Sequence, residues 1–360
     1  MNSSTKTKKT YNFIEEAQDI FKEMKKEMES KLNIFVIGKT GVGKSTLVNA
    51  VFGRQVVETG SGSPVTQGIE KIDINKNFSI YDTKGLEIKD YQKTQEKIED
   101  FFENDKTKTA NEQIKLVWLC IAETSRRVED AEIEMFKRVK ENYSYPAMIV
   151  ITKATQDKDE NGKKFSDFVK EKFKVKDSEI QRVIAIEVED DDGNIKKKKG
   201  IEELIEKSFN ILPDADKMAF VKEQKYNKKI KNDAAKKIIH KYSAFAGTVA
   251  LTPIPFSDIY LLLPTQLGML THISSIYGLN FSTEKMKELA LAFAGTTATG
   301  VAVRSLLKFI PGVGSAINAT AAVGATELIG KQYASYLDKN FEKIRQGEFE
   351  LDIKKVTKEM

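Results

Sequence analysis

One cysteine, two histidines, one tryptophan and seven prolines are all that 360 residues hold of these types. A lone Cys120 excludes an internal disulfide and any centre built from several thiolates. It also fits a reducing compartment. His240 and His272 have no neighbouring thiols or acids at ligand spacing, so the sequence offers no zinc-type set. Charge of one sign is not in excess either. Lys and Arg number 58 against 53 Asp and Glu, and a net charge of +5 gives no global case for nucleic acid. Met1–Thr10 is polar and basic with no apolar stretch behind it, so a secretory signal is not expected and the cytoplasm is the expected location. Apolar residues make up 40% and charged residues 31%, the balance of a folded chain.

Against that background one run stands out: Gly38-Lys39-Thr40-Gly41-Val42-Gly43-Lys44-Ser45, followed by Thr46. It spells a phosphate-binding loop without a gap. Asn33–Ile37 before it is apolar and β-prone, and Thr46–Phe52 after it suits a helix start, which is the context such a loop requires. Glycines at both ends let the backbone close into a nest of N–H groups, and the new helix adds its positive dipole end at the same spot. Lys44 is expected to reach the β- and γ-phosphates, and the Ser45 hydroxyl to bind Mg²⁺.

From Leu32 to about Leu212 strands and helices alternate. The expected strands are Ile34–Ile37, Ile69–Ile74, Phe78–Asp82, Ile114–Ile121, Ala147–Thr152 and Val183–Val188. The expected helices are Lys44–Phe52, Leu86–Phe102, Asp130–Glu141, Phe165–Phe173 and Ile201–Asn210. Nearly continuous apolar strands between amphipathic helices predict an α/β fold with a mostly parallel sheet flanked by helices. The short link Asn75-Lys76-Asn77 predicts one antiparallel pair. Ahead of this region, Asn12–Lys31 reads as an amphipathic helix whose stripe needs a partner, expected in the helical half.

Composition changes after Pro213. Lys217–Lys241 holds nine lysines against Glu223 and Asp233, and the chain then becomes apolar and rich in small residues. Leu289–Val303 and Phe309–Thr326 carry no charge. The expected division is therefore 1–31 as an N-terminal helix, 32–212 as the nucleotide domain and 213–360 as an all-α C-terminal domain. Gly295, Gly300, Gly312, Gly314, Gly324 and Gly330 would let helices approach closely in water or in lipid. A soluble bundle is one reading of this half. A membrane hairpin beside a lysine-rich helix that binds anionic headgroups is the other, though a span asks for about 20 apolar residues.

Further motifs follow in order: Pro64-Val65-Thr66 in a Gly/Ser-rich loop, Asp82-Thr83-Lys84-Gly85 at the end of a strand, and Thr152-Lys153-Ala154-Thr155 at the end of another. With the phosphate loop, these resemble the Ras-like P-loop GTPases of the translation-factor class, near its Era and septin-like branch. Pro253 to Asp258 through Gln266, then Tyr277-Gly278-Leu279, is similar to an uncharacterised helical domain paired with such GTPases. A remoter likeness is to dynamin-like and immunity-related GTPases.

The resemblance implies Mg²⁺ with GTP or GDP as ligands and GTP hydrolysis as the activity. Gly38–Thr46, Asp82, Gly85, Thr152, Lys153, Asp157, Glu187 and Val188 would contact nucleotide. Ser45, Thr66 and Asp82 would serve the metal, and Lys44, Thr66 and Gly85 the reaction. Two departures matter. Thr155 stands where the family's guanine-reading aspartate belongs, a loss of about 1.5–3 kcal/mol of charged hydrogen bonding. Asp157 is the acid left nearby, and adenine stays open beside guanine. Leu86 stands where a water-orienting glutamine is usual, so slow or assembly-stimulated hydrolysis is expected, with Gln67, Arg126 and Arg127 as candidate donors. A nucleotide-dependent homodimer or oligomer and an anionic membrane surface are the expected partners, with no nucleic acid. A nucleotide-gated or dynamin-like scaffold with negligible turnover is the competing function.

Overall fold

A computed structural model describes residues 24, 26–53, 63–66, 69–83, 91–189, 193–250, 257–279, 282, 285, 319–353, 355 and 356. The chain separates into two compact units, Ser30–Asn227 and a second made of Met1–Glu29 with Lys228–Met360.

The first unit is built on a seven-stranded sheet. Its strands are β1 (Leu32–Ile37), β2 (Ser63–Thr66), β3 (Ile69–Asn75), β4 (Phe78–Asp82), β5 (Leu116–Ala122), β6 (Ala147–Thr152) and β7 (Ile180–Arg182). They lie in the order β2-β3-β4-β1-β5-β6-β7. The neighbours from β4 to β7 run parallel, while β3 is antiparallel to β4 and β2 to β3. β1, β5 and β6 are buried along their whole length, as strands covered on both faces must be. The helices are α1 (Lys44–Phe52), α2 (Tyr91–Lys106), α3 (Asp130–Glu141), α4 (Phe165–Phe173), α5 (Ile201–Ile211) and α6 (Asp214–Glu223).

One face of the sheet packs Phe35, Val117, Leu119 and Ile149 against Phe101, Phe102, Phe136 and Val169. On the other, Phe52 meets Phe78, Trp118 and Phe220 at centroid distances of 4.6, 5.8 and 6.3 Å. The buried indole of Trp118 donates to Ser208 Oγ at 3.1 Å. Phe220 explains why this unit continues past the change of composition at Pro213. α6 carries that ring onto Phe52, and Lys115 pairs with Asp216 at 2.9 Å. Lys225 N–H then donates to Val51 O at 3.0 Å before the unit ends at Asn227.

Two elements differ from the sequence reading. Ser63–Thr66, expected as loop, forms edge strand β2, with Thr66 opposite Ile69. The last sheet strand is Ile180–Arg182, not Val183–Val188. After Arg182 the chain leaves the sheet, and Val188–Glu189 (β8) pairs instead with Ile195–Lys196 (β9) in a separate hairpin. The mostly apolar run from Val183 to Val188 mimics a strand, yet Ile186 and Val188 are exposed.

In the second unit α7 (Lys228–Ala250), α8 (Ser257–Ile276) and α9 (Ala319–Lys339) pack together, and α10 (Phe341–Gln346) follows. The Lys231 ammonium caps the end of α8 by donating to Ile276 O. Ser274 and Tyr333 share a buried hydroxyl–hydroxyl bond of 2.6 Å, and Asn232 donates to Asp338 at 2.6 Å. Met24 is buried and Glu27 pairs with Lys241, so residues ahead of Ser30 belong to this unit. Among the described residues no helix is long and apolar enough to cross a membrane. Leu289–Val303 and residues 309–318 lie outside the described residues.

Candidate functional site

The carboxyl ends of β1, β4, β5 and β6 come together at one edge of the sheet, where open α/β folds gather their ligands. Ile37 stands beside Leu119, Val36 beside Asp82, and Ala122 beside Thr152. The chain leaving β1 turns through Gly38–Gly43 and enters α1 at Lys44.

Three glycines make that turn. Gly41 and Gly43 have φ of 80° and 99°, and Gly38 has φ of 152°. A side-chain carbon at Gly38 would come within 2.6 Å of Cys120 O, so the loop lies directly on the end of β5. Gly43 precedes α1 in a left-handed conformation with no side-chain cap, which leaves the first helical N–H groups facing the concavity.

Lys44 is buried, and its ammonium folds back over the loop. It donates to Gly38 O at 2.8 Å and Lys39 O at 3.3 Å, and stands 3.7 Å from Asp82 Oδ1. Asp82 is itself 5% exposed. A buried carboxylate beside an ammonium, next to a helix-start serine, is a donor set of hard oxygens that suits a magnesium ion. Thr83, buried next to it, holds its hydroxyl 3.5 Å from both Val36 O and Gly38 O. Ser45 and Thr46 are half-buried at the helix start, and Thr40 and Gly41 are exposed at the lip. Lys39 turns away from the cavity and pairs with Glu129 at the start of α3. Burial raises the pKa of the neighbouring Glu132, against the pull of its hydrogen bond to Glu129 N–H and of Lys39.

β6 contributes the opposite wall. Thr152 Oγ1 donates to Val42 O at 2.6 Å and lies 3.2 Å from Ile121 O. Lys153 follows in a left-handed turn, φ 51°, exposed, and its Cε lies 4.0 Å from where a Gly43 side chain would begin. The sequence reading thus has Lys44, Asp82, Thr152 and Lys153 around one loop, and these four do converge there.

Other expected members stand elsewhere. Asp157 does not point its acid at an open pocket. It accepts from Ser166 N–H at 2.9 Å and Ser166 Oγ at 2.8 Å, and the Arg182 guanidinium lies 3.5 Å away. Burial opposes ionisation there, but the Ser166 bonds and Arg182 outweigh it and hold this carboxyl below its ordinary range. Glu187 and Val188 are exposed on the β8–β9 hairpin. The backbone that runs beside the Lys153 turn is Val183, whose carbonyl accepts from Ala154 N–H at 3.2 Å. Arg126, a candidate donor to the reaction, instead donates to the carbonyls of Gln156 and Asp157. Gln67, Gly85 and Leu86 lie outside the described residues, and of Thr66 only the backbone is described.

The residues not anticipated from sequence are Glu123 and Arg182. Glu123 is 2% exposed; it accepts from Gln156 N–H at 2.6 Å and from Arg182 Nε at 2.8 Å. Arg182 also donates to Ala154 O at 3.1 Å. An acid immediately after a fully apolar strand, Ala122-Glu123, is the one signal in the chain that marked it.

Residues 33–153 match the family described as 50S ribosome-binding GTPase, and residues 217–341 match a domain of unknown function, DUF697. The chain is 28% identical over 158 residues to a probable GTP-binding protein EngB of Clostridium acetobutylicum, covering 75% of that protein and 42% of this chain. It is 33% identical over 88 residues to the small ribosomal subunit biogenesis GTPase RsgA of Clostridium novyi. That match spans only 30% of RsgA and 22% of this chain. Among solved structures, Aquifex aeolicus Era bound to GDP.AlF4⁻ is 16% identical with a TM-score of 0.32, covering 63% of this chain and 69% of that one. The chain thus carries a P-loop GTPase domain followed by a DUF697 region.

Proposed function

We propose that the Ser30–Asn227 unit binds GTP together with Mg²⁺ and hydrolyses it slowly, and that nucleotide state is relayed to the helical unit. The observation that carries this reading is the Lys44 ammonium, buried at the loop mouth and held by the Gly38 and Lys39 carbonyls. A triphosphate entering the nest would take over those bonds, and Lys44 would then counter charge on the transferring phosphoryl group. Ser45, Thr66 and Asp82 would hold the metal, which when bound supplies charge neutralisation at the phosphates. The Gly85 N–H would meet the γ-phosphate, and Lys153 would lay its stem along the base.

Leu86 cannot hold water by hydrogen bonding, which supports slow intrinsic turnover. Arg126 is engaged by loop carbonyls, which leaves Gln67, Arg127 or a group from a second copy or another partner to accelerate the reaction. The unit division supports the relay, because the chain enters the nucleotide unit from the helical unit at Ser30 and returns to it at Lys228. Self-association, or contact with an anionic membrane or a protein, would be the output of the helical unit.

Calorimetric titration with GTP, GDP and ATP in the presence of Mg²⁺ tests the reading. GTP and GDP are expected to bind wild type, and Lys44→Ala is expected to weaken GTP by at least tenfold. No uptake of any purine triphosphate by folded wild type would overturn it. Phosphate release measured over a range of protein concentrations separates slow hydrolysis from a scaffold without turnover.

A further inference from the structure

Guanine and hypoxanthine differ by one group, the exocyclic 2-amino substituent of guanine. A carboxylate can accept from that amino group and from the ring N1–H at once, whereas a hydroxyl offers one compact acceptor atom. At the turn after β6 this chain has the hydroxyl of Thr155, with the Thr155 N–H drawn back to Lys153 O at 2.8 Å.

A nearby acid could replace the missing carboxylate only if it were available, and the two acids that hold this turn are both engaged. Glu123 has one oxygen on Gln156 N–H and the other on Arg182. Asp157 has one oxygen on Ser166 N–H, near Arg182, and the other on Ser166 Oγ. Arg126 fixes the same stretch from outside, donating to Gln156 O and, at 2.7 Å, to Asp157 O. Bringing Asp157 to a base would therefore break charge-assisted bonds to two partners and also loosen the Arg126 clamp. Arg182 is the hinge of the arrangement. It bonds Glu123 and Ala154 O and attracts Asp157, so one side chain positions the turn and keeps both acids engaged there.

We propose that this site leaves the 2-amino group of guanine unread, so that inosine triphosphate binds as well as GTP. The proposal rests on the GTP-binding reading above and narrows what that site selects. A charge-assisted pair absent from both complexes distinguishes neither ligand, so affinities for GTP and inosine triphosphate should agree within about threefold. Restoring a carboxylate with Thr155→Asp should separate them by about tenfold or more in favour of GTP.

The test is calorimetric titration of the full chain with GTP, inosine triphosphate and ATP, all with Mg²⁺, on wild type and Thr155→Asp. Near-equal binding of the two 6-oxopurines by wild type, with a GTP preference appearing in Thr155→Asp, supports the proposal. A tenfold or greater GTP preference in wild type overturns it, since an acid must then reach the base, and this ratio decides even if the variant fails to fold. Separation of the two that is unchanged by Thr155→Asp also overturns it. Absence of binding by all three nucleotides overturns the GTP-binding reading itself, a result distinct from either of these.

Discussion

The hydroxyl of Thr152 donates to the carbonyl of Val42 across 110 residues of chain, at 2.6 Å and fully buried. This bond fastens the end of β6 to the phosphate-binding loop. Thr152→Val keeps the shape and removes the donor, leaving Val42 O without it. Loss of one buried hydrogen bond of this kind is worth roughly 1–1.5 kcal/mol. Nucleotide affinity is expected to fall about five- to tenfold with the fold intact, and Thr152→Ser should retain most of it. Titration beside far-ultraviolet circular dichroism checks both.

Glycine is required for different reasons at two points of the same loop. At Gly38 a methyl group would meet Cys120 O at 2.6 Å, while at Gly41 nothing among the described residues lies within 4 Å and the φ of 80° is the unfavourable feature. Gly38→Ala is expected to be the more damaging of the two. It combines the backbone penalty with displacement of the loop from β5, whereas Gly41→Ala, among the described residues, carries the backbone penalty of about 1–2 kcal/mol alone. Comparing urea midpoints and GTP affinities of the pair would reveal the difference. Equal effects would show that the contact with Cys120 is unimportant.

A carboxyl held below its ordinary pKa stabilises the fold above the unfolded value and loses that contribution as pH falls through the folded one. Asp157 is in this position because of Ser166 and Arg182. Asp157→Ala should lower the melting temperature by a few degrees at pH 6–8, the usual scale for removing an acceptor from a helix start. The gap between wild type and variant should begin to narrow below about pH 4, where the unfolded carboxyl titrates, and go on narrowing as pH falls through the lower folded value. Melting curves from pH 3 to 8 test this, and a gap independent of pH would show that the charge is not involved.

Two glycines of α9 should respond in opposite senses. At Gly330 an added methyl would come 2.7 Å from Ile239 Cγ1 and 2.9 Å from Met269 Sδ, so three helices meet there with no room for a side chain. At Gly324 nothing among the described residues lies within 4 Å. Gly330→Ala should destabilise by about 1–3 kcal/mol through overpacking. Gly324→Ala should stabilise by about 0.5–1 kcal/mol through helix propensity. Chemical denaturation of each variant reads both signs.

Much of this was legible in the chain because the strongest signals were local. The loop Gly38–Ser45 declares its own geometry, and α1, α3 and α4 begin and end where their apolar spacing stops. The fully apolar runs of β1, β5 and β6 could only be covered strands. What escaped depended on distant partners. Ser63–Thr66 is a strand because β3 offers it an edge, not because its residues favour one. Asp157 reads in the sequence as an acid open to a ligand, but Ser166, nine positions on, occupies it. By composition α6 opens the helical half, yet Phe220 attaches it to Phe52.

That the helical unit draws on both ends of the chain has a practical corollary for anyone dissecting the protein. A fragment starting at Leu32 discards Met24 and the Glu27 partner of Lys241, and one starting at Lys228 does the same. Neither amputation yields a whole bundle. An isolated bundle would have to be made by splicing the leader to Lys228 through a short artificial link, with the sheet excised between them.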